Sequence, residues 1–303
     1  MTNVAGAPGT ADAAGAPEPA GERKGSETLH FARRNPKLLI GLGIVLAFLL
    51  LGIFGPFFVS DTPNDYVGPK SQPPGGEYWF GTNTFGQDIW AQFVYGVRAT
   101  FLIGVFGGGV AFLIGTAVGF VAGYKGGIVD EILNMLTNVV LVLPALVVLI
   151  VAIAYLDVRG LFMQGVFIGL TTWPWAARAV RSQALSLATR DYVDLARLSG
   201  RRTWKIITTE IAPNMSSYLV MSFILLFGGA VLTAAGLDFI GLGPSNGVSL
   251  GLMLESAVQW SALTLGMWWW FVPPGLGITV IVGSLYILNV GLDEVFNPKL
   301  REL

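Results

Sequence analysis

The sequence predicts an all-α membrane protein with six transmembrane helices and both termini in the cytoplasm. Three observations carry this prediction. The 303 residues are 53% hydrophobic and only 12% charged, with a mean hydropathy of +0.64; a soluble domain carries about a quarter charged residues. Six charge-free stretches reach or approach the roughly 20 helical residues needed to cross a hydrocarbon core about 30 Å thick. Lys and Arg are strongly segregated between alternate connecting segments, and that segregation sets orientation.

Residues 1–27 are rich in Ala, Gly, Pro, Ser and Glu without apolar periodicity, the composition of a disordered cytoplasmic tail. Basic residues appear only at Arg23 and Lys24 and no apolar core precedes them, so the segment does not read as a signal peptide. The first span is expected at 38–59. It is followed by an outer loop over 60–98 with Pro63, Pro69, Pro73 and Pro74, so residues 28–96 form one unit. Residues 97–290 form a core of five helices. Its charge-free stretches are 99–124, 132–156, 161–177, 211–237 and 257–292, the last with its span centred on 267–290. Gly104, Gly107, Gly108, Gly109 and Gly115 crowd the second span, and small residues let membrane helices approach closely. A cytoplasmic tail, 291–303, ends the chain. With the N-terminus inside, the cytoplasmic segments hold fifteen of the 18 Lys and Arg; only Lys70, Arg98 and Arg159 fall outside.

Composition excludes several functions. The chain has no cysteine, which removes disulfides, thiol catalysis and iron–sulfur clusters. The single histidine, His30, lies in the N-terminal segment and makes no metal site of the usual kind. A net charge of −1 gives no reason to expect nucleic acid. No G-x-x-x-x-G-K-[ST] run is present, so the chain has no ATP site of that type. The span centres hold no acid, which argues against a proton-coupled carrier, and no Ser–His pair or metal-ligand set supports an intramembrane enzyme. Polar residues inside spans often mark a pathway. The candidates are Asn134 and Asn138, four apart on one face of the third span, Thr171 and Thr172 in the fourth, and Ser222 in the fifth. Trp268, Trp269 and Trp270 suit an interfacial aromatic belt.

One charged cassette, DYVDLARLSGRRTWKIITTEIAPN over 191–214, interrupts the apolar run. Tyr192, Leu195, Ala196 and Ser199 share a small, weakly apolar helical face. Gly200 is a left-handed helix stop, Thr203 is suited to cap a second short helix, and Pro213 marks the boundary to the next span. From the residues alone two readings stand open: docking against another protein, with arginines at the rim, or resting on anionic lipid.

The cassette resembles the EAA loop of ATP-binding-cassette importer permeases, in the form DYVxAARxxG…IIxxxILPN of the dipeptide/oligopeptide permease family. The likeness continues in WPWAARAVRSQALSLATRDYV, in FGTNTFGQDIWAQFVYGVRATFLIG, in DFIGLG, in PGLGI and in GLDEVFNPKLR, and spans about residues 35–303. It implies the second, C-type permease subunit of a type I importer, a multi-pass protein of the cell membrane. In that family a cytoplasmic coupling loop, here 188–212, would place Asp191, Tyr192, Asp194, Leu195, Ala196, Arg197, Gly200 and Arg201 against an ATPase subunit. The implied partners are a homologous second permease, one or two ATPase subunits that bind ATP and Mg, an extracytoplasmic substrate-binding protein and the lipid bilayer. The chain itself would hold no cofactor. Peptides are the first expected substrates, nickel chelates and oligosaccharides the alternatives, and a secondary carrier or channel the other class. The sequence departs from the family pattern at Leu195, at Asn138 and at Leu250. In the outer loop Asn83, Gln87 and Gln92 stand where an Asp and two Arg are usual.

Overall fold

The computed structural model describes residues 34–59, 62–156, 160–245 and 247–296; the expected tail over 1–27, His30 and residues 297–303 lie outside them. The described residues are helical apart from turns, loops and one isolated bridge, Thr82 to Asp88. In chain order the helices are α1 Pro36–Phe58, α2 Ile89–Lys125, α3 Gly127–Val142, α4 Ala145–Leu156, α5 Leu161–Ala188, α6 Asp191–Leu198, α7 Thr203–Ile206, α8 Ser216–Leu237, α9 Leu250–Gln259 and α10 Trp268–Phe296. Local sequence fixes the starts. Asn35 accepts from the Leu38 N–H at 3.0 Å with Pro36 at the first helical position, and Asp88 accepts from the Trp90 N–H at 2.9 Å.

Four helical runs are long and apolar enough to cross a membrane: Pro36–Phe58, Ile89–Lys125, Thr203–Leu242 and Trp268–Phe296. The third expected span is not one straight helix. α3 and α4 bend by 78° and make a fifth crossing only if the pair is one span. Leu143, which precedes Pro144, is extended at φ −72°, ψ 127°, as the proline ring requires of its predecessor. α3 also starts at Gly127, which brings Asp130 and Glu131 into the helix. α5 has 28 residues but carries Gln164, Thr171, Thr172, Arg178 and Arg181, and it is not apolar enough to join the set. The described residues therefore show four or five such crossings where composition led us to expect six.

Glycine decides the packing. Gly107, Ala111, Gly115, Gly119 and Gly123 recur every fourth residue of α2 and form one stripe. A Cβ at Gly115 would lie 2.5 Å from the Ala176 Cβ, and at Gly119 or Gly123 it would lie 2.7 Å from the carbonyl of Ala177 or Arg181. From the other side, a Cβ at Gly169 would meet the Val110 Cβ at 2.6 Å. The α2 and α5 backbones therefore touch along much of their length, and because the contacts climb together the two helices run parallel. A second edge of α2, Gly104 and Gly108, seats Phe227 of α8. Gly109 faces open space and belongs to neither contact.

The same approaches sort the ends of the bundle. Gly52 meets Arg98 and Gly55 meets Val94, so α1 runs antiparallel to α2. Gly41 meets Leu288 and Gly291 meets Leu38, so α10 is antiparallel to α1. One end thus gathers Asn35, Lys37, Lys125, α6, α7 and Glu294, with Glu294 bonded to both Asn35 and Lys37. The other end holds the loop over 62–88, the end of α8 and α9. Tyr78 and Thr82 donate to the Val67 and Pro69 carbonyls, and Trp269 donates to the Thr82 carbonyl at 3.2 Å, so this loop is docked on α10. The expected tryptophan belt is therefore only partly one. Trp268 is exposed, but Trp269 anchors the loop and Trp270 is a core residue, 1% exposed.

The seam yields a paired test. Gly119→Val should lower the thermal stability of the purified protein by about 1–3 kcal/mol or more, because overfilling a tight contact forces backbone shifts. Gly109→Ala, in open helical space, should be neutral or stabilise by up to about 1 kcal/mol. Thermal unfolding in detergent separates them; equal loss in both would show that the seam is not the controlling contact.

Candidate functional site

α6 is short, and its ends are defined by its own residues. Asp191 and Asp194 lie in its first turn, where negative charge is favoured. At its end the Gly200 N–H bonds to the Arg197 carbonyl and the Arg201 N–H to the Ala196 carbonyl, with Gly200 at φ +68°, a Schellman stop that glycine makes easily. The second short helix, α7, has Arg202 rather than Thr203 at its cap and no side-chain cap bond. Thr203 is already helical. Nor does the chain stop at Pro213: the helix runs on from Thr203 through a π turn, Ile207–Ile211, and a 3-10 turn, Pro213–Met215, into α8. The turns absorb the missing proline N–H; the Ala212 N–H reaches back to the Ile207 carbonyl at 2.8 Å.

The structure divides the residues expected at one contact face. Val193 and Ala196 are buried, at 0% and 6% exposure, among Phe120 of α2, Val180, Ala184 and Ala188 of α5, and Ile207 and Ile211. Tyr192 is half-buried beside them. The outward face is Asp191, Asp194, Leu195 and Leu198, spaced i, i+3, i+4, i+7; Leu195 and Leu198 are 64% and 85% exposed. Leu198 was not among the sequence candidates. Its signal was the alternative register of the same helix, which is unreadable until one face is covered. Arg197 pairs with Asp194 at 2.9 Å and lies 4.9 Å above the Tyr124 ring at the end of α2. The Tyr124 hydroxyl, and secondarily Asp194, hold its guanidinium above its usual pKa, so it stays charged. Arg201 pairs with Glu210 at 2.7 Å. Both arginines are thus engaged within the chain, and Gly200 is exposed with nothing within 4 Å of a Cβ.

Four of the five pathway candidates fall into two places. Asn134 and Asn138 line a cleft of about 570 Å³ on α3 with Glu131, Met135, Val139, Val142 and Leu143. Thr172 and Ser222 line a groove of about 510 Å³ between α5, α8 and α10, together with Trp175, Tyr218, Thr233 and Tyr286. Thr171 lies in neither, and both Thr171 and Thr172 donate back to the Ile168 carbonyl of their own helix. α5 connects the two places: Arg178 donates to Asn138 at 2.8 Å, and Trp175, one turn earlier, lines the groove.

Two polar clusters stand at the opposite end. Asp238 lies one residue beyond the charge-free stretch 211–237, yet the π turn Asp238–Leu242 keeps it inside the helical run, 1% exposed. Gln164 of α5 donates to Oδ1 at 2.6 Å and Ser249 donates to Oδ2. Ser249 also caps α9 by accepting from the Leu252 N–H at 3.1 Å. The absence of acids from the span centres therefore does not mean that no acid is buried in the bundle. The second cluster joins three departures from the family pattern. Asn83 donates to Gln87 Oε1 at 2.7 Å, and Gln92 donates to the same oxygen at 3.0 Å and to the Pro63 carbonyl at 3.1 Å. They touch, so the replacement of three charges by three amides keeps one unit paired and neutral. Among the described residues no group of three His, Cys, Asp or Glu could hold a metal ion.

Comparison with known proteins places this arrangement among transporters. The model of the binding-protein-dependent transport system inner membrane component matches residues 115–302. That of the N-terminal transmembrane domain of oligopeptide transport permease C matches residues 26–74. The chain is 31% identical to a dipeptide transport system permease protein of Alkalihalophilus pseudofirmus, covering 89% of this chain and 88% of the relative. It is 32% identical to a putative peptide transport system permease protein of Brucella abortus, covering 88% and 90%. It is 31% identical to the oligopeptide transport system permease protein of Bacillus subtilis, covering 89% and 88%.

The two faces of α6 respond differently to substitution. Ala196→Trp should cost about 1–3 kcal/mol or more of fold stability, since the site is closed by the chain itself. Leu198→Ser should change it by less than about 0.5 kcal/mol, as at other open surface positions. Thermal unfolding of the isolated subunit reads both; a stable Ala196→Trp would place that face outside the core.

Proposed function

The chain belongs to the family of binding-protein-dependent transport system inner membrane components, and from that premise we propose that it is the C-type permease subunit of an ATP-driven peptide importer. It crosses the membrane six times, with α3 and α4 forming one bent crossing and α5, held along α2, another. Both termini and α6 face the cytoplasm. The segregation of Lys and Arg supports this orientation, as does the gathering of Lys37, Lys125 and α6 at one end of the bundle. Peptides are the proposed cargo because the relatives carry that description.

The single observation that carries the mechanism is the double-faced α6. Its inner face is packed on the ends of α2 and α5, and its outer face presents two leucines beside two acids. ATP and Mg bind to partner ATPase subunits, one or two in kind. A cleft on the ATPase receives Asp191, Asp194, Leu195 and Leu198, with Tyr192, Arg197, Gly200 and Arg201 around the rim. Ala196 supports the helix from within. Closure of the ATPases then moves α6 as a rigid element. Because α6 rests on both α2 and α5, and those are locked backbone to backbone, the displacement rocks the pair together. A homologous permease supplies the other half of the pathway, and an extracytoplasmic binding protein delivers the solute at the end carrying the loop over 62–88 and α9.

The test separates docking from resting on lipid. Leu195→Asp with Leu198→Asp should leave membrane insertion and thermal stability intact, yet cut substrate-stimulated ATP hydrolysis at least about tenfold, the loss of two buried leucine contacts. Copurification of the ATPase subunits should fall with it. Normal stoichiometry together with normal stimulation would make α6 a helix resting on lipid.

A further inference from the structure

Arg178 lies about 15 Å from the C-terminal end of α5 at 1.5 Å rise per residue. It is exposed on the bundle wall, on one helical stripe with Thr171, Trp175 and Ser182. Its surroundings are apolar: Trp175, Met135, Val139 and Val142 are all more than half exposed around the same cleft and stripe. A guanidinium facing hydrocarbon is costly, and charged groups inside a membrane bundle point to a polar cavity or a partner. Arg178 forms no ion pair among the described residues. Its partner is the neutral side-chain oxygen Oδ1 of Asn138 at 2.8 Å. The nearby Asp130 is taken by Arg181 in a bidentate pair, both contacts 2.5 Å. Glu131 lines the Asn138 cleft, but about 10 Å further along the helix axis. One donated bond leaves most of the five guanidinium N–H donors unused.

The geometry points to Arg178 as a binding position for the carboxylate of the solute on its way through, the free C-terminus of a peptide. A guanidinium suits this role because its planar fork matches two carboxylate oxygens, and Asn138 holds the fork in place without cancelling its charge. Trp175 offers an aromatic wall beside it. An aspartate at 138 would saturate the fork internally, so the amide at that position is what leaves Arg178 available. The inference rests on the peptide-importer reading.

The experiment uses the reconstituted complex with its native binding protein and compares uptake of a free-acid peptide with uptake of its C-terminal amide. The quantity read is the acid-to-amide rate ratio in each variant divided by the native ratio, which cancels the binding protein's own preference. Arg178→Gln should lower this double ratio about tenfold or more, the scale of a lost charge-assisted hydrogen bond. Arg178→Lys should recover part of it. Asn138→Asp should lower it while Arg178 remains. Basal ATP hydrolysis and subunit stoichiometry identify variants that still assemble. An unchanged double ratio, or an equal loss for acid and amide, overturns the inference and leaves the importer reading standing. Loss of assembly in Arg178→Gln alone, with Asn138→Asp unchanged, also overturns it, by assigning Arg178 to a subunit contact. Failure of the native complex to take up either peptide removes the importer reading and this inference with it.

Discussion

The backbone contact between α2 and α5 is the constraint on which the rest of the structure depends. Between membrane helices there is no hydrophobic driving force to exploit, so association comes from close packing. Here the glycines of the stripe, Gly115, Gly119 and Gly123, let α5 carbonyls sit where a Cβ would otherwise be. Everything of functional interest is attached to that pair: α6 at one end, the Asn138–Arg178 contact along the α5 wall, and the Gln164–Asp238 bond at the other end.

Because α2 and α5 are close and parallel, their ends make a floor that the short α6 can cover. That is why Val193 and Ala196 turn inward, and why the acids and leucines are left outward. The exposed ion pairs Arg197–Asp194 and Arg201–Glu210 add little stability by themselves. Their effect is geometric. Each removes a flexible arginine from the outer face and leaves it compact, and Arg197 ties α6 to Tyr124.

The apolar bundle treats its polar groups in three ways. Threonine hydroxyls return to their own helix carbonyls. Asp238 is held by donors from two other elements and so joins α8 to α5 and α9. The amides Asn83, Gln87 and Gln92 satisfy one another where the loop over 62–88 meets α2. Against that background the Arg178 guanidinium, whose hydrogen-bond partner among the described residues is the neutral Asn138 side chain, stands apart.

Much of this protein is fixed by composition and spacing. A charge-poor chain with apolar stretches of span length can only be a helical membrane protein, because backbone polar groups in lipid must pair within each segment. The break at Gly200 was legible in the sequence, since a glycine closing a short charged helix adopts positive φ without steric cost. The cassette's order of residues was enough to place it in its family. Three-dimensional packing decided the rest. The sequence could not say which side of α6 is covered, since Tyr192, Leu195 and Ala196 share an arc and the covering residues lie far along the chain, at Phe120 and Val180. Nor could it show that the stretch 132–156 bends at Leu143–Pro144, or that a π turn carries Asp238 into the buried bundle. Local pattern sets what a segment can form; only the neighbours that close over it decide which face, and which charge, is left free.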